Sequence, residues 1–252
     1  MKRTVIVPDL QVPYHDEVAV RNVAGFIKAY RPDSVLTLGD EADFTEIGRW
    51  SEGKPGWYEQ TLAENRDLTV DILWRLGEYA KEQHMIRSNH TDRLFNVIMN
   101  KIPAFMSLPE LKFEKFMKLD ELGITYHKKP YEVAKRLIAV HGDEGSVKPT
   151  PGLTALESAR RAGISTICGH THRAGFSQFS ESSGGKINRI IRGYEGGHLM
   201  DVRQATYTKG TMNWQQAFII VEEDAKGHQV SIINLEKDGT FVVHGRRYGR
   251  SR

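Results

Sequence analysis

Five polar clusters, each placed where an apolar run stops, carry the residue types most able to do chemistry: Asp9-Leu10-Gln11, Gly39-Asp40, Ser88-Asn89-His90, His141-Gly142 and Gly169-His170-Thr171-His172. Carboxylates, amides and imidazoles at the ends of separate strands can converge on one sheet edge and offer oxygen and nitrogen donors to divalent cations. Asp40 has two carboxylate oxygens, enough to join cations held roughly 3.5 to 4 Å apart. Asp9 and Gln11 stand at i and i+2, so in extended chain their side chains leave the same face; His170 and His172 share that spacing. The pattern predicts a two-metal hydrolytic centre.

The order and types of these clusters resemble the calcineurin-like metallophosphoesterase superfamily, whose signature runs Asp-x-His, Gly-Asp, Gly-Asn-His-Asp/Glu, His and Gly-His-x-His. The resemblance spans residues 9–172 and points to a small phosphodiesterase of bacterial or phage type. Gln11 stands where the family usually has His, and Ser88 and Thr91 replace the flanking Gly and acid.

The resemblance implies a four-layer α/β/β/α sandwich with two mixed β-sheets and a dinuclear centre bridged by Asp40. It assigns Asn89, His141 and His170 to one cation, Asp9 and His172 to the other, and places His90 beside the substrate, to protonate the leaving oxygen or stabilise developing charge. The implied reaction is phosphoester hydrolysis by a metal-bound hydroxide. The expected substrate is a small, nucleotide-like phosphodiester; a DNA nuclease and an inactive binding scaffold are the alternatives. Manganese is favoured over Ni, Zn, Fe or Mg, because Gln11 would exchange a borderline nitrogen donor for a harder amide oxygen.

Several residues keep more than one reading. Gln11 could ligate, hydrogen-bond a metal-bound water or cap its loop. Asp92 could replace the missing acid that orients His90, or serve as a carboxylate in a first helical turn. Arg93, then Arg173, then Arg87 are candidate phosphate clamps, with surface ion pairs the alternative. Glu195 and His198 could line the cleft or shape a Gly-rich loop. Trp50 and Trp57 could form a wall or stack a base. Cys168 reads as a core residue, and Arg246, Arg247, Arg250 and Arg252 as a frayed, solvated tail, with nucleic-acid contact the alternative.

The elements that must position these residues alternate at first as βαβ units. Strands are predicted at 4–7, 34–38 and 84–87, with helices at 17–30 and about 60–83. Helices at 92–100 and 108–119, punctuated by Pro103 and Pro109, would form an insertion near 92–119. Strands at 137–140 and 165–168 flank a helix at 153–162. Period-two stretches then predominate: 176–179, 187–191, 217–221, 230–235 and 241–243.

A chain of 252 residues suits one domain, taken as 1–252. With 35 basic and 32 acidic residues, net charge gives no field favouring nucleic acid or anionic lipid. One cysteine, no apolar leader and no apolar run near the roughly 20 residues of a membrane span predict a cytoplasmic protein.

Overall fold

The computed structural model describes residues 1–47, 61–204 and 212–250. In chain order its main elements are β1 (Lys2–Val7), α1 (Glu17–Tyr30), β2 (Ser34–Thr37), α2 (Leu62–Gly77), β3 (Glu82–Ile86), α3 (Thr91–Lys101), α4 (Phe113–Phe116), β4 (Ile124–His127), β5 (Tyr131–Ala134), β6 (Leu137–Val140), α5 (Leu153–Ala162), β7 (Ser165–Cys168), β8 (Ala174–Ser183), β9 (Lys186–Gly196), β10 (Ala217–Glu223), β11 (His228–Asn234), β12 (Phe241–Val243) and β13 (Arg246–Tyr248).

Caps in the sequence fix the early helices. Asp16 accepts hydrogen bonds from the backbone N–H groups of Val18 at 3.1 Å and Ala19 at 3.3 Å, starting α1. Thr61 and Glu64 form a reciprocal capping box at the start of α2. From Thr4 onward β1, and all of β2, are buried on both faces, as strands covered from both sides must be.

Two mixed sheets result, ordered β11-β10-β1-β2-β3-β4 and β5-β6-β7-β9-β8. The period-two alternation of β1 divides the core. Ile6, with Leu36, Leu38, Ile219 and Val221, meets Val133, Leu137, Ala139, Ile167 and Tyr194 of the second sheet. Val5 and Val7 face the other way, where Val20, Val23, Phe26 and Ile27 of α1 and Ile72 and Leu76 of α2 cover them. On the far side, Leu156 and Ala159 of α5 pack on Ile191. Helices, sheet, sheet, helix: this is the expected four-layer α/β/β/α sandwich.

Some boundaries depart from expectation. The long helix of 60–83 ends at Gly77, and β3 already begins at Glu82. The Gln83 side chain occupies the space a Cβ at Gly77 would need and donates to the Leu73 carbonyl at 2.9 Å. The predicted helix of 108–119 is reduced to a 3-10 turn, Pro109–Leu111, and the four-residue α4, because Lys112 between them is extended, at φ −64° and ψ 135°. Trp50, Trp57 and Arg252 lie outside the described residues.

The five polar clusters all follow the carboxyl ends of β1, β2, β3, β6 and β7, which run parallel within their sheets. A crevice beyond those ends is where α/β sheets place ligands.

Candidate metal centre

Asp40 lies at the middle of the donor set. Its carboxylate belongs to two groups whose ligand atoms lie within 4.8 Å of one another: Asp40 with His141 and His170, and Asp40 with Asp9 and His172. The amide residues join the same constellation. Asn89 Oδ1 is 2.9 Å from His141 Nε2, and Gln11 Nε2 donates to Asp40 Oδ2 at 3.0 Å. Gln11 Nε2 also lies 3.5 Å from His172 Nε2.

The backbone is strained where it delivers these side chains. Gln11, Asp40, His170 and His172 have φ of 53°, 55°, 63° and 56°, in the left-handed region that side-chain-bearing residues seldom occupy. Two glycines make the approach possible. A Cβ on Gly39 would sit 2.5 Å from Ser88 Cβ and 2.8 Å from His141 Nδ1, and one on Gly169 would sit 2.5 Å from Asp9 Oδ1. Ser88, where the family has Gly, accepts the Asp40 N–H at 3.0 Å and the Thr91 N–H at 3.1 Å, tying the second and third clusters together.

The donor set fits divalent cations. Asp9 is fully buried, and His172 Nε2 lies 3.3 Å from its Oδ2, without hydrogen-bond geometry at either oxygen; Gln11 Oε1 is likewise buried with no hydrogen-bond partner among the described residues. Buried polar atoms without partners are costly, and cations would satisfy them. His141 Nδ1 donates to the Leu38 carbonyl at 2.7 Å, which turns Nε2 toward Asp40 Oδ1, 3.3 Å away.

The electrostatics point the same way. Burial, reinforced by the charge on Asp40, pushes Asp9 well above the usual carboxylate range. Burial also opposes ionisation of Asp40, but His141 and His90 outweigh it and hold Asp40 well below its ordinary value. Burial works against charge on His141, while Asp40 dominates and raises it to about 10. Burial and neighbouring His198 push His172 down to about 3, leaving a neutral imidazole suited to ligation.

His90 lies beside this group rather than within it. Its Nδ1 is 3.1 Å from Asp43 Oδ1, and Arg93 Nη2 donates to its Nε2 at 2.8 Å. Arginine cannot accept, so Nε2 is the bare nitrogen here and the proton belongs on Nδ1, facing Asp43. Arg93 is held in turn by the Asp43 carbonyl.

The expectation that Asp92 orients His90 is corrected. Its Oδ2 pairs with Arg87 Nε at 2.8 Å and Nη2 at 2.6 Å, because the first turn of α3 directs it away from the imidazole. Arg87 also binds Asp143 at 2.9 Å, and Arg173 Nη1 donates to the Lys148 carbonyl at 2.7 Å. Those two guanidinium groups are engaged in holding loops. Of the three candidate clamps, Arg93 alone contacts His90.

Asp43 is a candidate site residue that the sequence reading leaves out; its place three residues after Asp40 is the available signal. A second omission is Trp214, whose ring meets the His172 ring edge-on at a centroid distance of 4.4 Å. Glu195 proves to be fully buried. It accepts from the backbone of Thr154 at 2.9 Å, at the start of α5, and from the Thr171 hydroxyl at 2.9 Å, between the two loop histidines. His198 is buried behind His172, with ring centroids 5.8 Å apart.

No protein-family model matches the sequence. The Gene 54 protein of Mycobacterium phage D29 is 31% identical over 250 residues, covering 97% of both chains. The chain belongs to this Gene 54 protein family. The Gene 54 protein of Mycobacterium phage L5 is 29% identical over 251 residues, covering 97% of this chain and 98% of its own. Among solved structures, the Gene 54 family chain is similar to Vps29 from Entamoeba histolytica complexed with Zn+2, at TM-score 0.44 and 15% identity over 97% and 95% of the two chains. YfcE, a phosphoesterase from E. coli, gives TM-score 0.40 and 13% identity over 96% and 97%. The four layers and the order of the ligand loops make this a metallophosphoesterase-like fold with candidate Asp/His metal sites. Among the described residues no helix is long and apolar enough to cross a membrane.

Proposed function

We propose that this protein is a phosphoester hydrolase with two divalent cations, acting on phosphodiesters of small or nucleotide-like character. The observation that carries the reading is the sharing of Asp40 between two buried donor groups. Asp9, Gln11 and His172 would complete one cation's shell with Asp40; Asn89, His141 and His170 would complete the other. When bound, the cations would lower the pKa of water and offset charge on the phosphoryl oxygens.

The chain's own contribution centres on His90. Asp43 lies against the imidazole at Nδ1, 3.1 Å away, and Nε2 stands between Arg93 Nη2 at 2.8 Å and the Asp40 carboxylate at 3.8 Å. A phosphoryl group arriving there would offer the guanidinium a better acceptor and draw it off the ring. With the guanidinium drawn off, the bare Nε2 would be free to take a proton from solvent, and the imidazolium so formed would give that proton to the leaving oxygen or stabilise developing charge. No side chain need become phosphorylated.

The test is turnover of an aryl phosphodiester by metal-stripped protein resupplied with Mn, Ni, Zn, Fe or Mg. Metal-dependent hydrolysis supports the assignment. Binding of cations without turnover of aryl diesters, monoesters, cyclic nucleotides or DNA would instead favour a scaffold, and DNA cleavage of equal efficiency a nuclease.

A further inference from the structure

The outer edge of the second sheet is β8, which is exposed over most of its length; Phe176 and Phe179 are 57% and 40% accessible. Its hydrogen-bonding parity is fixed. Gly197 donates to the Arg173 carbonyl at 2.7 Å, and the register continues as Ala174 opposite Gly196. Gly175, Ser177 and Phe179 therefore turn their backbone groups toward β9, while Ala174, Phe176, Gln178 and Ser180 turn theirs outward. The Ala174 N–H agrees with this, donating outside the sheet to Gln215 Oε1 at 3.1 Å. Among the described residues no strand pairs with the outer side of Phe176, Gln178 and Ser180.

Exposed edges of this length usually carry lysine, proline or an inward charge that prevents pairing. Strand β8 has neither lysine nor proline, and its one charged residue, Glu181, is ion-paired with Arg189 of β9.

We propose that β8 pairs antiparallel with β8 of a second copy of this chain, about a two-fold axis through Gln178. This register joins all three open positions to one another: Gln178 to itself and Phe176 to Ser180 of the second copy. Centring on Ser177 would call on Ala174, whose N–H is already taken. Centring on Phe179 would bring in Ser182, beyond the register shift after Glu181. Side chains complement one another in the chosen register. Phe176 faces Ser180, Phe179 faces Ser177 and Glu181 faces Gly175, so no like charges meet; the Pro151–Gly152 turn lies over Gly175 and the Phe176–Ser177 backbone, and Phe179 of the second copy would pack beside it. The two rings project from opposite faces: Phe176 stacks on Tyr194 with centroids 6.0 Å apart, and Arg160 covers Phe179 at 4.4 Å.

Sedimentation of the full chain, with two substitutions at Gln178, tests this. The wild type should show a reversible dimer, and Gln178→Lys should sediment as a monomer with unchanged circular dichroism, because two lysines would face each other across the axis. Gln178→Cys should form a covalent dimer on mild oxidation, since directly bonded antiparallel partners lie about 5.5 Å apart at Cα, within disulfide reach. The native Cys168 is buried and does not compete. Ser177→Cys should not crosslink. A wild type that stays monomeric up to about 100 µM overturns the proposal. So does a dimer that survives Gln178→Lys, or Gln178→Cys protein that fails to crosslink.

Discussion

Asp43 and His90 form a carboxylate–imidazole contact of 3.1 Å beside the candidate metal centre. The contact assigns His90 a tautomer and an orientation that its position after Asn89 does not by itself provide. Asp43→Asn should therefore lower turnover by roughly 10-fold or more, up to but not beyond the 100- to 10,000-fold that general acid–base assistance typically contributes, while both cations remain bound. Asp92→Asn should leave turnover nearly unchanged, because Asp92 is paired with Arg87. Parallel kinetics and metal counting on the two variants check the assignment; equal defects would return Asp92 to the site.

Removal of His90 itself separates substrate chemistry from ligation. His90→Ala should retain both cations and lose more activity on alkyl or nucleoside esters than on nitrophenyl esters, whose leaving group departs without a proton. Steady-state rates across a series of leaving groups give the answer. A uniform defect would remove the general-acid role.

How much of this centre could be read from sequence depends on which residues are considered. The strand ends carrying Asp9, Asp40, Asn89, His141 and His170 were legible because fully buried parallel strands are continuous apolar runs, and their ends are abrupt. Asp92 misled because adjacency along the chain was taken for adjacency in space, whereas a helix turns successive side chains by about 100°. Asp43 needed the loop conformation after β2 to be recognised. Strands β4, β5 and β13 are absent from the sequence reading; Ile124–His127 and Tyr131–Ala134 are short and carry little periodic signal, and Arg246–Tyr248, expected as a solvated tail, instead pairs with β12, with Tyr248 packed on the core. The role of Glu195 was hidden because its two anchor points, Thr154 and Thr171, are 41 and 24 residues away.

Glu195 binds the start of α5 to the histidine loop, and the carboxylate accepts on both oxygens. Glu195→Ala should cost about 1 to 3 kcal/mol of stability by leaving buried donors unsatisfied, and should weaken metal binding at His170 and His172. Chemical denaturation and calorimetry measure the two effects. Full metal affinity in a destabilised variant would restrict Glu195 to a structural role.

Metal binding should release protons. Despite burial, His141 is raised to about 10 by Asp40, so it retains a proton at neutral pH that a cation must displace, and burial raises Asp9 above the usual carboxylate range in the same sense. Affinity should accordingly fall as pH falls. Titration calorimetry in two buffers of different ionisation enthalpy detects the release; identical heats would refute it.

Gln11 brings a side-chain amide to the place where the resemblance expects imidazole, 3.0 Å from Asp40. Activity should favour Mn over Zn, and Gln11→His should shift that preference toward Zn. Full reactivation by Zn with none by Mn would contradict the argument from the amide oxygen.

The central claim is that two cations share Asp40. Anomalous diffraction from crystals loaded with Mn tests it most directly. The account predicts two peaks about 3.5 to 4 Å apart on either side of the Asp40 carboxylate, one reached by His141 and His170 and the other by Asp9 and His172. A single peak, or two peaks that do not share Asp40, would contradict it.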